Sequence, residues 1–143
     1  MKTDILNSVS TKINAPASRV WDALTKPALI KRYFFNTDAS SDWTPGSPVT
    51  FKGEWQGKKY EDKGTVLDSE PCHMLRYTYW SSMSGIEDKP ENYVTITYEL
   101  EEENGKTNLT VSHDNISDEK MRKQSEENWK KVLKGLKEMV ENE

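Results

Sequence analysis

This sequence predicts an α+β domain: an antiparallel sheet covered by one long C-terminal helix, with two short helices after the first strand. Three observations lead there. In residues 117–141, Trp129, Val132, Leu133, Leu136, Met139 and Val140 recur at helical spacing and form one apolar stripe. Between residues 49 and 113, segments alternate apolar and polar residues and are separated by turn signals, the pattern of sequential antiparallel strands. Pro16 and Pro27 bracket a short apolar-faced helical segment just after a first alternating stretch.

Taken in order, residues 5–13 read as a strand with Val9, Thr11 and Ile13 on one face. Pro16, expected at the first helical position, opens a helix whose buried side is Val20, Trp21 and Leu24. Pro27 ends it and starts a second short helix, about 27–33, carrying Leu29, Ile30 and Tyr33. Residues 36–48 are rich in Asp, Ser, Pro and Gly and are expected to be loop. Trp43, in the middle of that loop, is expected to close over something apolar.

Five strands should follow. Residues 49–55 place Val49, Phe51, Gly53 and Trp55 on one face, and Gln56-Gly57 is a tight turn into 59–68. Pro71 breaks the chain before 74–80, where Leu75, Tyr77 and Tyr79 share a face. A second long loop at 81–90 holds Met83. In 93–101, Val94, Ile96, Tyr98 and Leu100 share a side; Asn104-Gly105 is a type I′ hairpin signal leading into 107–113, with Leu109, Val111 and His113 aligned. The final helix has Ser117 as its expected N-cap and spans about 37 Å at 1.5 Å per residue. Its stripe fades toward the start, where Met121, Ser125 and Asn128 continue the inward rows. Such a helix seals a sheet with its apolar end and roofs a wetter space with the other.

Composition narrows the function. The chain of 143 residues has the length of one domain (1–143) with its own core. It has no run of 18 apolar residues and no signal-peptide core, so no membrane span is expected and a cytoplasmic location is. The single Cys72 precludes an internal disulfide and fits a reducing compartment. A net charge of −4 argues against nucleic acid as partner. Five Trp, six Tyr and three Phe exceed what a core of this size needs.

Three stretches are similar to the SRPBCC (START-like, helix-grip) superfamily, and most closely to its branch of heat-shock chaperone ATPase activators, the AHSA type. They are Ile13-Asn14-Ala15-Pro16 through Val20-Trp21-Asp22-Ala23-Leu24-Thr25; Gly64-Thr65-Val66 with Pro71 and Leu75-Arg76-Tyr77-Thr78-Tyr79-Trp80; and Asn128-Trp129 with Val132-Leu133 and Leu136-Lys137. The family usually continues its second helix into a Trp, where this chain reads Lys31-Arg32-Tyr33-Phe34-Phe35. The resemblance implies a curved sheet gripping the long helix around a hydrophobic cavity. It also implies lipids, sterols, polyketides or aromatic products as ligands, with some members acting as cyclases or hydrolases.

No cofactor or metal is expected, since Cys72-His73 and His113 match no zinc spacing, and neither a nucleophile elbow nor a glycine-rich phosphate loop is present. The expected site is a cavity lined by Trp43, Phe51, Trp55, Tyr60, Tyr77, Tyr79, Met83, Tyr98, Met121, Ser125 and Trp129. An aromatic-lined cavity suits this set because buried phenol and indole groups need partners. Asp62 and His113 fall on inward rows and are candidate polar groups of that cavity; the plainer reading, which the sequence favours, leaves both in solvent at strand ends. The function expected is non-covalent binding of a small hydrophobic or aromatic ligand. A surface-acting module for a heat-shock chaperone is the alternative, disfavoured because this length leaves no room for the eukaryotic activator's extra N-terminal domain. A cyclase or hydrolase using cavity polar groups ranks third.

Overall fold

The strands are β1 (Asn7–Ile13), β2 (Asp38–Ser41), β3 (Pro48–Trp55), β4 (Lys58–Glu70), β5 (Met74–Tyr79), β6 (Val94–Glu103) and β7 (Lys106–His113). Helices α1 (Ala17–Thr25) and α2 (Pro27–Tyr33) lie between β1 and β2, and α3 (Glu119–Glu141) follows β7. The computed structural model describes residues 7–34, 37–55, 57–81, 87–116 and 118–142, with the Trp55 side chain excepted. One curved antiparallel sheet runs β1-β7-β6-β5-β4-β3-β2. The chain leaves β1 at one edge, crosses to β2 at the other through α1 and α2, and returns strand by strand until β7 pairs with β1. That last pairing sets Asn7 opposite His113 and Ile13 opposite Thr107.

Alternation decides which residues face inward. Ile13, Val49, Val66, Leu75, Leu109 and Val111 are fully buried on the covered face, with Leu133, Leu136 and Val140 of α3 packed among them. Asn104 and Gly105 both hold positive φ, 55° and 78°, as a type I′ turn between β6 and β7 requires. A bulge at Leu67, between the Val66–Tyr77 and Asp68–Arg76 pairs, bends β4.

Three local expectations change. Six strands follow the short helices, not five, because β2 lies in the segment 36–48 expected to be loop. Its residues are polar apart from Ala39, which pairs with Phe51, so backbone pairing to β3 defines it and alternation does not. Pro16 is the N-cap of α1 (φ −70°, ψ 158°), one residue before the helix. The first N–H, on Ala17, donates to Glu102 Oε1 at 2.6 Å, placing a carboxylate at the helix N-terminus. Asp118 caps α3, its Oδ1 accepting from the Met121 N–H at 2.8 Å, while Ser117 lies outside the described residues.

Two glycines predict opposite outcomes for one substitution. A Cβ at Gly64 would sit 1.6 Å from the Thr78 carbonyl oxygen, a backbone atom on the neighbouring strand that cannot turn aside. A Cβ at Gly135 in α3 would meet Tyr33 at 3.5 Å, ordinary contact. Gly64→Ala should cost about 3 kcal/mol or more, because the sheet must open to admit the methyl group. Gly135→Ala should add about 0.5–1 kcal/mol, the helix-propensity gain. Urea unfolding midpoints of the two variants check both signs.

Candidate functional site

The apolar stripe of α3 covers only part of its length. Val132, Leu133, Leu136, Met139 and Val140 are buried against the sheet, whereas Met121 is 47% exposed and Asn128 is also in solvent. Beneath this polar first half, the ends of β5, β6 and β7 leave a groove of about 510 Å³. Tyr79, Trp80, Val94, Ile96 and His113 form its sheet side; Met121, Gln124, Ser125, Asn128 and Trp129 form its helix side, with Ser81 and Asn92 at the rim.

A hydrogen-bonded chain crosses the groove wall. Trp129 Nε1 donates to His113 Nδ1 at 2.9 Å. An indole N–H is donor only, so Nδ1 must be the acceptor nitrogen and the proton of the neutral ring sits on Nε2. Ser125 Oγ lies beside the same ring, 3.2 Å from Nε2 and 3.5 Å from Nδ1. It accepts from Asn7 Nδ2 at 3.1 Å. Burial pushes the His113 pKa below its usual value, with Asp114 opposing, so the ring is neutral at pH 7.

Behind Trp129 the interior is packed aromatic core. Its ring meets Tyr98 edge-on at 6.1 Å and Phe34 at 6.4 Å. Phe51 packs against Tyr77 at 5.8 Å and Tyr79 at 5.7 Å, and Tyr77 against Tyr98 at 6.3 Å. The phenols are satisfied within this core. Tyr77 and Tyr98 hydrogen-bond each other, Tyr33 donates to the Ala23 carbonyl at 2.7 Å, and Tyr79 donates to Asp62 Oδ2. Burial raises the pKa of all four tyrosines above the ordinary phenol value, and for Tyr79 the nearby Asp62 carboxylate adds to the effect.

Of the residues expected to line a cavity, Tyr79, Met121, Ser125 and Trp129 come together at the groove, joined by His113. Phe51, Tyr77 and Tyr98 lie in the ring-packed core, and Trp43 lies edge-on to Tyr77 at 6.4 Å. Trp43 therefore closes over something apolar, but from within the protein. Tyr60 lies across Gly53 on the paired strand, its hydroxyl bonded to Thr37 at 2.5 Å. Met83 and the Trp55 side chain fall outside the described residues. Asp62 corrects the solvent reading: it sits mid-strand at 6% exposure, facing inward. His113 does end its strand but is turned under α3, half-buried.

Sequence reasoning missed Asn7, Trp80, Asn92, Val94, Ile96 and Gln124 as parts of this region. Asn7 carried a signal, since it extends the inward row of Val9, Thr11 and Ile13. Among the described residues no three of His, Cys, Asp and Glu converge as metal ligands, and no helix is long and apolar enough to cross a membrane. Another hollow, about 500 Å³, lies beside Lys63, Thr65, Thr78, Asp88 and Tyr93. There Lys63 and Asp88 pair at 2.5 Å and Tyr93 donates to Asp88 at 2.5 Å, so these polar groups satisfy each other.

Residues 14–141 match the family model described as Activator of Hsp90 ATPase homolog 1-like protein. The chain belongs to this family. It is an AHSA-type member of the SRPBCC superfamily, and its sheet and helices have that superfamily's helix-grip arrangement. The solution structure of ChR145 from Cytophaga hutchinsonii is similar, with 43% identity and a TM-score of 0.86 over 99% of this chain and 97% of that one. DynU16, a putative protein in the dynemicin biosynthetic locus, has a TM-score of 0.79 at 20% identity, over 97% of this chain and 48% of its own. The Aha1 dimer from Colwellia psychrerythraea has a TM-score of 0.74 at 20% identity, over 96% of both chains. The last two likenesses show the fold alone. No curated protein matches the sequence.

His113 gives the AHSA-type chain a specific acid response. Its depressed pKa means that below about pH 6.5 the unfolded chain binds a proton that the folded one resists. This contribution leaves stability flat above pH 6.5 and lowers it as pH falls toward the depressed value. Urea unfolding should show a larger loss between pH 7.5 and 5.5 in the wild type than in His113→Gln, and equal losses would contradict the assignment.

Proposed function

We propose that the chain binds a small hydrophobic or aromatic molecule non-covalently in the groove under the first half of α3. The observation that carries this reading is the groove's wall: Trp80, Trp129, Tyr79, Val94 and Ile96 face a space of about 510 Å³ with the exposed Met121 beside it. Apolar side chains left facing an open space lose contacts that a ligand restores, and methionine adapts to varied shapes. The volume falls within the usual range for small-molecule sites. The family match is compatible with such a role.

The test is titration of a panel of neutral apolar compounds, followed by backbone and indole NMR. Saturable shifts should centre on Trp129, Ile96 and Met121. Ser125→Trp, which places a ring in the groove, and Met121→Glu, which places a charge at its edge, should each weaken binding at least tenfold. Shifts that map to another surface, or binding unchanged in both variants, would overturn the assignment.

A chaperone-directed role is the second reading, and the family description is the observation that favours it. A protein partner needs an apolar patch with aromatic or arginine anchors at its centre. Among the described residues the large exposed hydrophobics are Leu67, on the β4 bulge, and Met121. Two such residues do not make an interface core. Added alone to a matching heat-shock chaperone, the chain should stimulate ATP hydrolysis little, whereas a several-fold, saturable stimulation would reverse this ranking.

A further inference from the structure

The bond between the Trp129 indole and the His113 ring exists in only one protonation state of the histidine. Trp129 Nε1 donates to His113 Nδ1 at 2.9 Å, and an indole nitrogen is a donor only. A proton on Nδ1 would set two donors face to face, so the imidazolium and this bond exclude each other. Ser125 does not discriminate in this way. Its hydroxyl, 3.2 Å from Nε2 and 3.5 Å from Nδ1, both donates and accepts and so suits either form of the ring.

The surroundings do little to offset a positive charge on that ring. Asp114, next in the chain, favours the charged form, but its Oδ1 accepts from the Thr95 N–H at 2.7 Å and burial outweighs it. Opposite His113, β1 presents Asn7 and β6 presents Ile96, while α3 presents Ser125 and Trp129; none of these carries a charge. Further along α3, Arg122 is paired with Glu119, and Glu126 acts on Arg122. Tyr79 of β5, on the sheet side of the groove, keeps its phenol proton at and below neutral pH.

His113 and Trp129 both line the groove. An apolar molecule there excludes the water that an imidazolium needs, since His113 is only half-buried without it. The same molecule rests against an indole that the neutral ring holds in place. Both effects favour neutral His113.

Resting on the ligand-binding reading above, we propose that binding in the groove is proton-linked: the apolar ligand is held while His113 is neutral and is released when His113 is protonated, with the Trp129 indole coupling the two events. The linkage is reciprocal, so a bound ligand makes His113 harder to protonate by the factor that acid weakens binding. The His113 pKa lies below 6.5 in the free protein and lower still in the complex. Affinity is therefore flat above pH 6.5, falls as pH drops through the free value, and levels off below the bound one.

Naphthalene, which has neither charge nor hydrogen-bonding group, tests this on the intact chain. Its dissociation constant is measured at pH 7.5 and 5.0 from Trp129 indole shifts, with dispersed amide spectra confirming the fold at both. His113 is titrated by its ring ¹³C–¹H signals, free and at saturation. Saturation should lower the His113 pKa by about one unit, equivalent to a loss of affinity of about tenfold in the acid limit, and a several-fold loss should already show at pH 5.0. In the free protein the Trp129 Nε1–H signal should move with the His113 midpoint. Trp129→Phe, which keeps a ring but removes the donor, should raise the His113 pKa toward its ordinary value. His113→Gln should bind naphthalene equally at the two pH values. An unchanged His113 pKa with naphthalene bound at Trp129 would overturn the proton linkage and leave ligand binding intact. So would an indole signal that ignores the His113 titration, or equal acid sensitivity in wild type and His113→Gln. Failure of naphthalene to perturb the groove at pH 7.5 would overturn this inference and the ligand-binding reading together.

Discussion

Leu133 and Leu136 fix the second half of α3 to the sheet. Both are fully buried among Ile13, Leu109 and Val111, and burying side chains of this size is each worth roughly 1.5–3 kcal/mol. Because a helix is a stiff rod rising 1.5 Å per residue, anchoring one half positions the other. The first half therefore stands over the ends of β5, β6 and β7 whether or not its own residues are apolar. With Ser125, Gln124 and Asn128 there instead of leucines, it does not close down on the sheet, and a groove remains.

The interior polar groups fall into two sets with different consequences. In the core, Tyr33, Tyr77, Tyr79 and Tyr98 each find a partner within the protein, as buried polar groups must. Those bonds hold the rings in one arrangement and leave nothing to offer a ligand. At the groove the bookkeeping does not close: Asn7 Oδ1 has no hydrogen-bond partner among the described residues. A fold shared across a family sets where such a space lies, while the side chains around it set what enters. The AHSA-type assignment therefore speaks for the sheet and helices, and the side chains Trp129, His113, Ser125 and Asn7 give this chain's groove its own polar wall.

Much of the architecture was legible in the residues themselves. Hydrophobic burial repeats with each element's period, so the α3 stripe, the inward rows of β3, β5, β6 and β7, and the Asn104-Gly105 turn all showed in sequence. Even the wetter start of α3 was visible, in the fading stripe at Met121, Ser125 and Asn128. β2 was not, because a four-residue edge strand of Asp, Ala, Ser and Ser is held by backbone bonds to β3, which carry no side-chain pattern. Alternation also placed Asp62 inward, but it could not show that Tyr79 waits there to bond it.

What only the tertiary structure decided was which aromatics are core and which face open space. Phe51, Tyr77 and Trp129 look alike in sequence, all large and all on inward rows. Their fates differ because Phe51 and Tyr77 lie under other rings, while Trp129 sits at the point where α3 stops touching the sheet. The groove's polar chain was hidden for a related reason. Asn7 and Ser125 are 118 residues apart and meet only through the β1–β7 register and the seating of α3. Local periodicity records the burial of each element, and no local pattern records the contact between two of them.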